Sequence, residues 1–594
     1  MNLVKRKTYI RISLLILVVF IWMGLILWRL VSLQVYQRDR LAQRGKIQRE
    51  RTIKLNPKRG RIYDRNGKEL AVNVEMTSIY ALPTEVTNPS QTASKLAKVL
   101  PVKRSILEKR LRSNKSFVWI ERKVEPEPTQ QIRELKLPGI GFLKEDKRYY
   151  PQGKLASHVI GFAGVDSQGL NGLEHLYDRE IRGESGMELT LIDAKRRDFL
   201  PEGITRKEAT SGNDIVVNID AIIQYIAEKE LAETVRTTGA KGGSVVIMNP
   251  RSGEVLAIAN QPDYDPNNFA RYSESSWRNR AVTDIYEPGS TFKILLLAMA
   301  LEEKVVGLDD HFYCGEGGIE VAGSYIRDHK PYGVLSTKQI IEYSSNVGAI
   351  IIGSRIGKQK LYHHVQRYGF GKKTRIDLPG ESGGIVLPFR KWSGVSVGSI
   401  SIGQEICVTP LQLLTIASAI ANEGYVMKPR VVKKVLSRRG ELLNEFSPSP
   451  VRRIISPQTA QQLLNIMIAV VERGTGTAAK LPGYIIAGKT GTAQKFDPVA
   501  QRYGPDKYVA SFIGFLPAND PVIAMIVVID EPQGSYYGGE VAAPLFKEIA
   551  QQLVKYLRIP PRQRDQTHLV ATNILAGRER EGVEWSNSPQ EEKR

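Results

Sequence analysis

Three short constellations in this 594-residue chain have the residue types and spacing for acyl transfer. In the first, Glu287-Pro288-Gly289 breaks the chain ahead of Ser290-Thr291-Phe292-Lys293, and an apolar run continues to Leu301. That pattern predicts a turn opening a buried helix. Positions i and i+3 share one helix face, so the Lys293 amine can reach the Ser290 hydroxyl. A serine hydroxyl is a weak nucleophile and needs an adjacent base. Desolvation and the positive potential of a helix N-terminus favour the neutral amine that could take its proton. Alone, the pair would be explained as well by a capping serine beside a lysine lying along apolar surface.

Two further pieces follow in order. Ser344-Ser345-Asn346 precedes the apolar run 347–352, a second helix start. Ser344 could relay a proton to a leaving amine, and Asn346 could hold a substrate amide. Ser211-Gly212-Asn213 has the same spacing but lies before the nucleophile, so order selects Ser344. Gly488-Lys489-Thr490-Gly491-Thr492 follows the strand-like 484–487. Lys489 with the Thr490 and Thr492 hydroxyls could bind a carboxylate, and Gly491 would let an extended peptide approach the strand edge. No cofactor and no metal is expected. The chain has no His-Glu-x-x-His, and His363-His364 reads as surface or helix.

The elements that must position these residues are α+β. A helix is predicted from 221 to 234, a hairpin from 244–248 and 254–259, strands at 508–515 and 522–530, and an amphipathic helix at 541–557. Between 70 and 205, short strands alternate with helices at 94–100 and 105–111, the second capped by Ser105. The domains expected are a stub 1–11, an anchor 12–35, an elongated domain 50–210, a catalytic domain 212–557 and a disordered tail 558–594.

With 42% hydrophobic residues, any membrane segment is local. Lys5, Arg6, Lys7 and Arg11 precede an apolar run long enough to span a bilayer and lacking a small-residue cleavage site, which predicts an uncleaved single-pass anchor. The net charge of +22 is spread along the chain without a nucleic-acid reader motif. Anionic lipid or polymer, not nucleic acid, is the expected neighbour. Cys314 and Cys407 allow one pairing at most, and burial as small hydrophobes is an equal alternative.

The ordered triplet resembles the penicillin-recognising serine acyltransferases. Arg59-Gly60-Arg61-Ile62-Tyr63-Asp64-Arg65-Asn66-Gly67, Tyr149-Tyr150-Pro151, His158, Gly161-Phe162, Gly403-Gln404, Val408-Thr409-Pro410-Leu411-Gln412, Tyr537-Gly538-Gly539 and Val541-Ala542-Ala543-Pro544 narrow the likeness to class B penicillin-binding proteins. Within these, 144–174 is closest to the division-type penicillin-binding protein 3 subgroup. The resemblance implies a pedestal domain over 50–210 and a transpeptidase domain with an antiparallel sheet flanked by helices. It implies a single-pass protein of the bacterial cytoplasmic membrane that cross-links peptidoglycan stem peptides during septal wall synthesis and binds β-lactams. Ser290 would attack the penultimate D-alanine carbonyl, and the backbone amides of Ser290 and Thr492 would form the oxyanion hole. A SEDS-family glycan polymerase and other divisome membrane proteins would be partners. A membrane-bound D,D-carboxypeptidase or serine β-lactamase would use the same triplet with water as acceptor. A non-enzymatic β-lactam sensor or divisome scaffold is the alternative outside enzymes.

Overall fold

The computed structural model describes residues 2–55, 57–192, 198–199, 206–497 and 502–561. The expected tail therefore lies outside the described residues from 562 onward. The helix Asn2–Val31 covers most of the expected anchor, and the continuous stretch Arg6–Tyr36 is long and apolar enough to cross a membrane, with its side chains exposed. Among the described residues, the next apolar helices, Asn346–Ile356 and Pro410–Ala421, are too short for that.

The chain divides into two compact units, Met1–Arg59 with Arg182–Gly212, and Gly60–Ile181 with Asn213–Arg594. In the first, Glu50–Leu55 pairs antiparallel with Gly186–Ile192, which also pairs with Asp198–Phe199 and Arg206–Lys207. These lines differ from the expected cut near 211, because one sheet crosses it. Within the second unit, Ile62–Tyr63 runs parallel to Asp214–Val217, which pairs in turn with Val432–Leu436.

The string around Gly60 and Asn66 is a folded tie rather than a solvated turn. A Cβ on Gly60 would collide with the Asn213 carbonyl. The Asp64 carboxylate accepts from the Asn66 and Lys68 amides at 2.8 and 2.7 Å, closing a turn whose Gly67 has φ +87°. The two predicted helices nearby start earlier than expected, at Pro89–Leu96 and Arg104–Leu111. Pro89 presets the first helical φ, and Asn88 accepts from the Gln91 amide at 3.1 Å. Ser105 is not the cap; Lys103 holds that position without a side-chain bond.

The catalytic half is built on a five-stranded antiparallel sheet, in the order Val255–Gln261, Gly242–Met248, Ile523–Asp530, Arg502–Leu516, Ala487–Asp497. The predicted hairpin and strands fall on it. Strand alternation sends its side chains into two cores. Val245, Ile247, Phe512 and Val527 pack with the helices Ala221–Thr238 and Ala542–Tyr556. Val246, Met248, Ile513 and Ile526 pack with the apolar helix Phe292–Glu302. The strand carrying Lys489 is therefore at one edge of the sheet, beside the turn that carries Ser290.

Candidate active site

Ser290 sits in a single 3-10 turn, Gly289–Thr291, that runs directly into Phe292–Glu302. Residues 292–300 of that helix are all buried, as the apolar run requires. Gly289 adopts φ +56°, and its amide donates to the Gly403 carbonyl at 3.0 Å. A Cβ on Gly403 would collide with the backbone of Gly289, which explains why Gly403-Gln404 accompanies the Ser290 turn. On the other side, a Cβ on Gly289 would lie 3.2 Å from the Thr492 carbonyl oxygen. The turn and the Lys-Thr-Gly strand thus touch at Thr492.

Lys293 is fully buried. Its Nζ donates to the Ser344 carbonyl at 2.6 Å and to Asn346 Oδ1 at 2.7 Å, with Ser344 Oγ at 3.5 Å. It does not bond to Ser290, whose half-buried side chain faces the site without a partner among the described residues. Burial drives the Lys293 pKa down to about 7, partly opposed by the charge of Asp328. A neutral amine has two N–H bonds and one lone pair. In that form the two short bonds would use both hydrogens and leave the lone pair for a proton.

Ser344 occupies the left-handed region at φ +62°, which turns its carbonyl and hydroxyl toward the lysines. Ser345 caps Asn346–Ile356 by accepting from the Gly348 amide at 3.0 Å. The spacing of the motifs does not mark Asp328, yet it organises this corner. Its carboxylate accepts from Ser345 Oγ at 2.6 Å and from the Asn346 and Val347 amides, while the neighbouring Arg327 carbonyl accepts from Asn346 Nδ2 at 2.7 Å. A carboxylate at a helix N-terminus meets both free amides and favourable potential.

Lys489 Nζ, also fully buried, donates to Ser344 Oγ at 2.9 Å and to the Thr490 carbonyl at 3.2 Å. Burial, and then the nearby charge of Lys293, hold its pKa well below the usual lysine range. Ser344 Oγ thus lies between the two amines. Thr490 Oγ1 is 2.7 Å from Thr475 Oγ1, and Thr492 Oγ1 accepts from the Gly538 amide at 2.9 Å, which leaves the Thr492 hydroxyl hydrogen free to donate. Gly491 also has a packing role. A Cβ there would collide with Ser511 Oγ and crowd Thr291 Cγ2, so its bareness lets the Ser290 turn pack on the strand.

Asn213 donates its amide to the Glu180 carbonyl at 2.8 Å and belongs to packing. His364 lies in the helix Lys358–Tyr368, is buried, and contacts Glu303 at 2.7 Å. Among the described residues no group of side chains could hold a metal ion. Cys314 and Cys407 are both free thiols.

Residues 243–551 match the family described as Penicillin binding protein transpeptidase domain, and residues 54–217 match Penicillin-binding Protein dimerisation domain. Among similar proteins, Stage V sporulation protein D of Bacillus subtilis is 35% identical over 95% of this chain and 88% of its own length. Peptidoglycan D,D-transpeptidase FtsI of Escherichia coli is 33% identical over 93% of this chain and 92% of its own. Among solved structures, Penicillin binding protein 3 of Mycobacterium tuberculosis complexed with aztreonam superimposes with a TM-score of 0.69 at 29% identity, covering 86% of this chain and 98% of that one.

Proposed function

The chain belongs to the class B penicillin-binding proteins, the family of peptidoglycan D,D-transpeptidases, and on that premise we propose that it works through an acyl-enzyme on Ser290 with Lys293 as base. The observation that carries this reading is the state of Lys293. It is buried, its Nζ donates to Ser344 O at 2.6 Å and to Asn346 Oδ1 at 2.7 Å, and burial brings its pKa to about 7.

In this reading, the Lys293 lone pair takes the Ser290 proton as Oγ attacks the penultimate D-alanine carbonyl of a stem peptide. The developing oxyanion sits between the backbone amides of Ser290 and Thr492, on the two elements that meet at Thr492. The proton then passes from Lys293 through Ser344 Oγ to the leaving D-alanine nitrogen. Asn346 holds the peptide amide. Lys489, with the hydroxyls of Thr490 and Thr492 and the backbone of Gly491, holds the terminal carboxylate and the peptide edge. An amine of a neighbouring stem deacylates Ser290, and a β-lactam, whose strained amide imitates the donor, acylates the same oxygen.

The pedestal is taken as 50–210 and the catalytic domain as 212–557. The apolar helix 12–35 would anchor both on the outer side of the cytoplasmic membrane, following the stub 1–11. Polymerisation of glycan would fall to a SEDS-family partner. The test uses the full chain in detergent with a stem pentapeptide donor and a labelled amine acceptor. D-alanine release should accompany a labelled cross-linked product, and both should vanish in Ser290→Ala. D-alanine release with hydrolysis only would assign water as the acceptor and contradict the reading.

A further inference from the structure

Glu287 lies three residues before Ser290, and its Oε1 accepts from groups on two other elements. One is the Glu405 amide at 2.9 Å, in the loop whose Gly403 carbonyl also receives the Gly289 amide. The other is the Tyr503 hydroxyl at 3.1 Å. Tyr503 is on the strand Arg502–Leu516, directly opposite Phe496 of the Lys-Thr-Gly strand, with the two rings 5.6 Å apart edge to face. Gln494 Nε2 donates to the Gly504 carbonyl at 2.8 Å and closes the hairpin beside it. Ser396 Oγ holds the Glu405 carboxylate at 2.6 Å.

This carboxylate is an expensive thing to keep here. Burial raises its pKa, the charge of Glu405 raises it further, and only the Glu405 amide and Tyr503 hydroxyl pull it down. Its Oε2 is buried with no partner among the described residues, and it makes no salt bridge there. A half-buried carboxylate with one oxygen unpartnered and no cation points to a demand for geometry rather than for stability.

We propose that Tyr503 and Glu287 are positioning residues whose hydrogen bond ties the hairpin bearing Lys489-Thr490-Gly491-Thr492 to the turn bearing Ser290, and so fixes the spacing of the two oxyanion amides. The inference rests on the acyl-enzyme reading above. Close to Ser290 the turn and strand pack through Gly289 on Thr492 and Thr291 on Gly491, contacts that are van der Waals rather than hydrogen-bonded. The Tyr503–Glu287 bond adds a directional tie farther along the hairpin, beside Phe496, and restrains the angle between the elements. An oxyanion hole split across two elements depends on that angle, because its donors must lie at hydrogen-bond distance from one small region.

The test measures acylation of the full chain in detergent by a chromogenic penicillin, separating the dissociation constant of initial binding from the limiting acylation rate. Tyr503→Phe keeps the ring on Phe496 and removes only the hydroxyl. Its limiting rate should fall about tenfold, as expected for a displaced reacting geometry, with initial binding within about twofold and an unchanged melting temperature. Glu287→Gln retains an acceptor oxygen and should acylate close to the wild-type rate, whereas Glu287→Ala should lose as much as Tyr503→Phe. The double variant Tyr503→Phe/Glu287→Ala should fall no further than Glu287→Ala alone. A wild-type rate in Tyr503→Phe, a loss confined to initial binding, an equal loss in Glu287→Gln and Glu287→Ala, or losses that multiply in the double variant would overturn the proposal. If Glu287→Ala does not fold, Tyr503→Phe and Glu287→Gln decide. Ser290→Ala separates the two readings. Acylation persisting there defeats the acyl-enzyme mechanism itself, while a silent Ser290→Ala beside a wild-type-like Tyr503→Phe defeats only the tether.

Discussion

In the pedestal, Arg148 is buried against Glu174, Nε to Oε1 at 2.6 Å, with side chains 3% and 0% exposed, and its Nη1 donates to the Gly60 carbonyl at 2.7 Å. In the catalytic half of the same unit, Lys293 and Lys489 are buried as completely, yet among the described residues neither forms a salt bridge. Their partners are a carboxamide, carbonyls and the Ser344 hydroxyl. The pedestal matches its buried charge and so holds a shape. The candidate active site gives its buried amines no salt-bridge partner among the described residues, which destabilises the ammonium form and suits the base role proposed for Lys293. Burial alone does not distinguish structural from chemical roles; the partner does.

Lys293→Met is the strongest test of that contrast. Acylation should fall about 10²–10⁴-fold with loss of the base, yet the melting temperature should rise. Lys293 titrates near 7 folded and near the ordinary 10.5 unfolded. Between those values the unfolded chain binds more protons, so stability rises with pH across the window, and the penalty is complete below about 7. The gain from Lys293→Met should therefore be larger at pH 6 than at pH 10. A melting temperature that falls equally at both would erase the distinction between the two regions.

Glu174→Gln should do the opposite. It leaves the Arg148 guanidinium buried without its carboxylate, at a cost of about 3–5 kcal/mol read from denaturant unfolding. Acylation by the folded fraction should change little. The wild-type pH profile sharpens the account further. The limiting acylation rate should climb roughly tenfold per pH unit on its acid side and level off near pH 7, where Lys293 loses its proton. A limb that continues to pH 10 would mean an unshifted lysine. The smallest effect belongs to an exposed pair. Arg236→Ala removes an ion pair with Glu233 whose side chains are 72% and 55% exposed, and the melting temperature should move by about a degree or less.

What could be read without the structure was local. A breaker followed by 292–301 predicts a buried helix, and the spacing of Ser290 and Lys293 then follows from helix geometry. The strands and the amphipathic helix that ends at Tyr556 were legible for the same reason. What escaped depends on contacts distant in the chain. Asp328 reaches Ser345 and Asn346 from the end of a separate hairpin, and Tyr503 reaches Glu287 across the site, at spacings that no motif encodes. Gly491 was legible as a position needing no side chain, but its neighbours, Ser511 and Thr291, decide why. Ser105 failed as a cap because Asn88-Pro89 and Lys103-Arg104 set the helix starts, and side-chain identity at one position does not reveal which start wins. The spacing of Ser290 and Lys293 likewise does not reveal that the Lys293 Nζ donates to the Ser344 carbonyl and Asn346 Oδ1.

The central claim, that Ser290 carries the acyl group, is tested most directly by intact-mass analysis of the full chain after penicillin treatment, followed over time in wild type and Ser290→Ala. The account predicts one persistent penicillin adduct per wild-type chain and no adduct on Ser290→Ala. An adduct of the same mass on Ser290→Ala would contradict it.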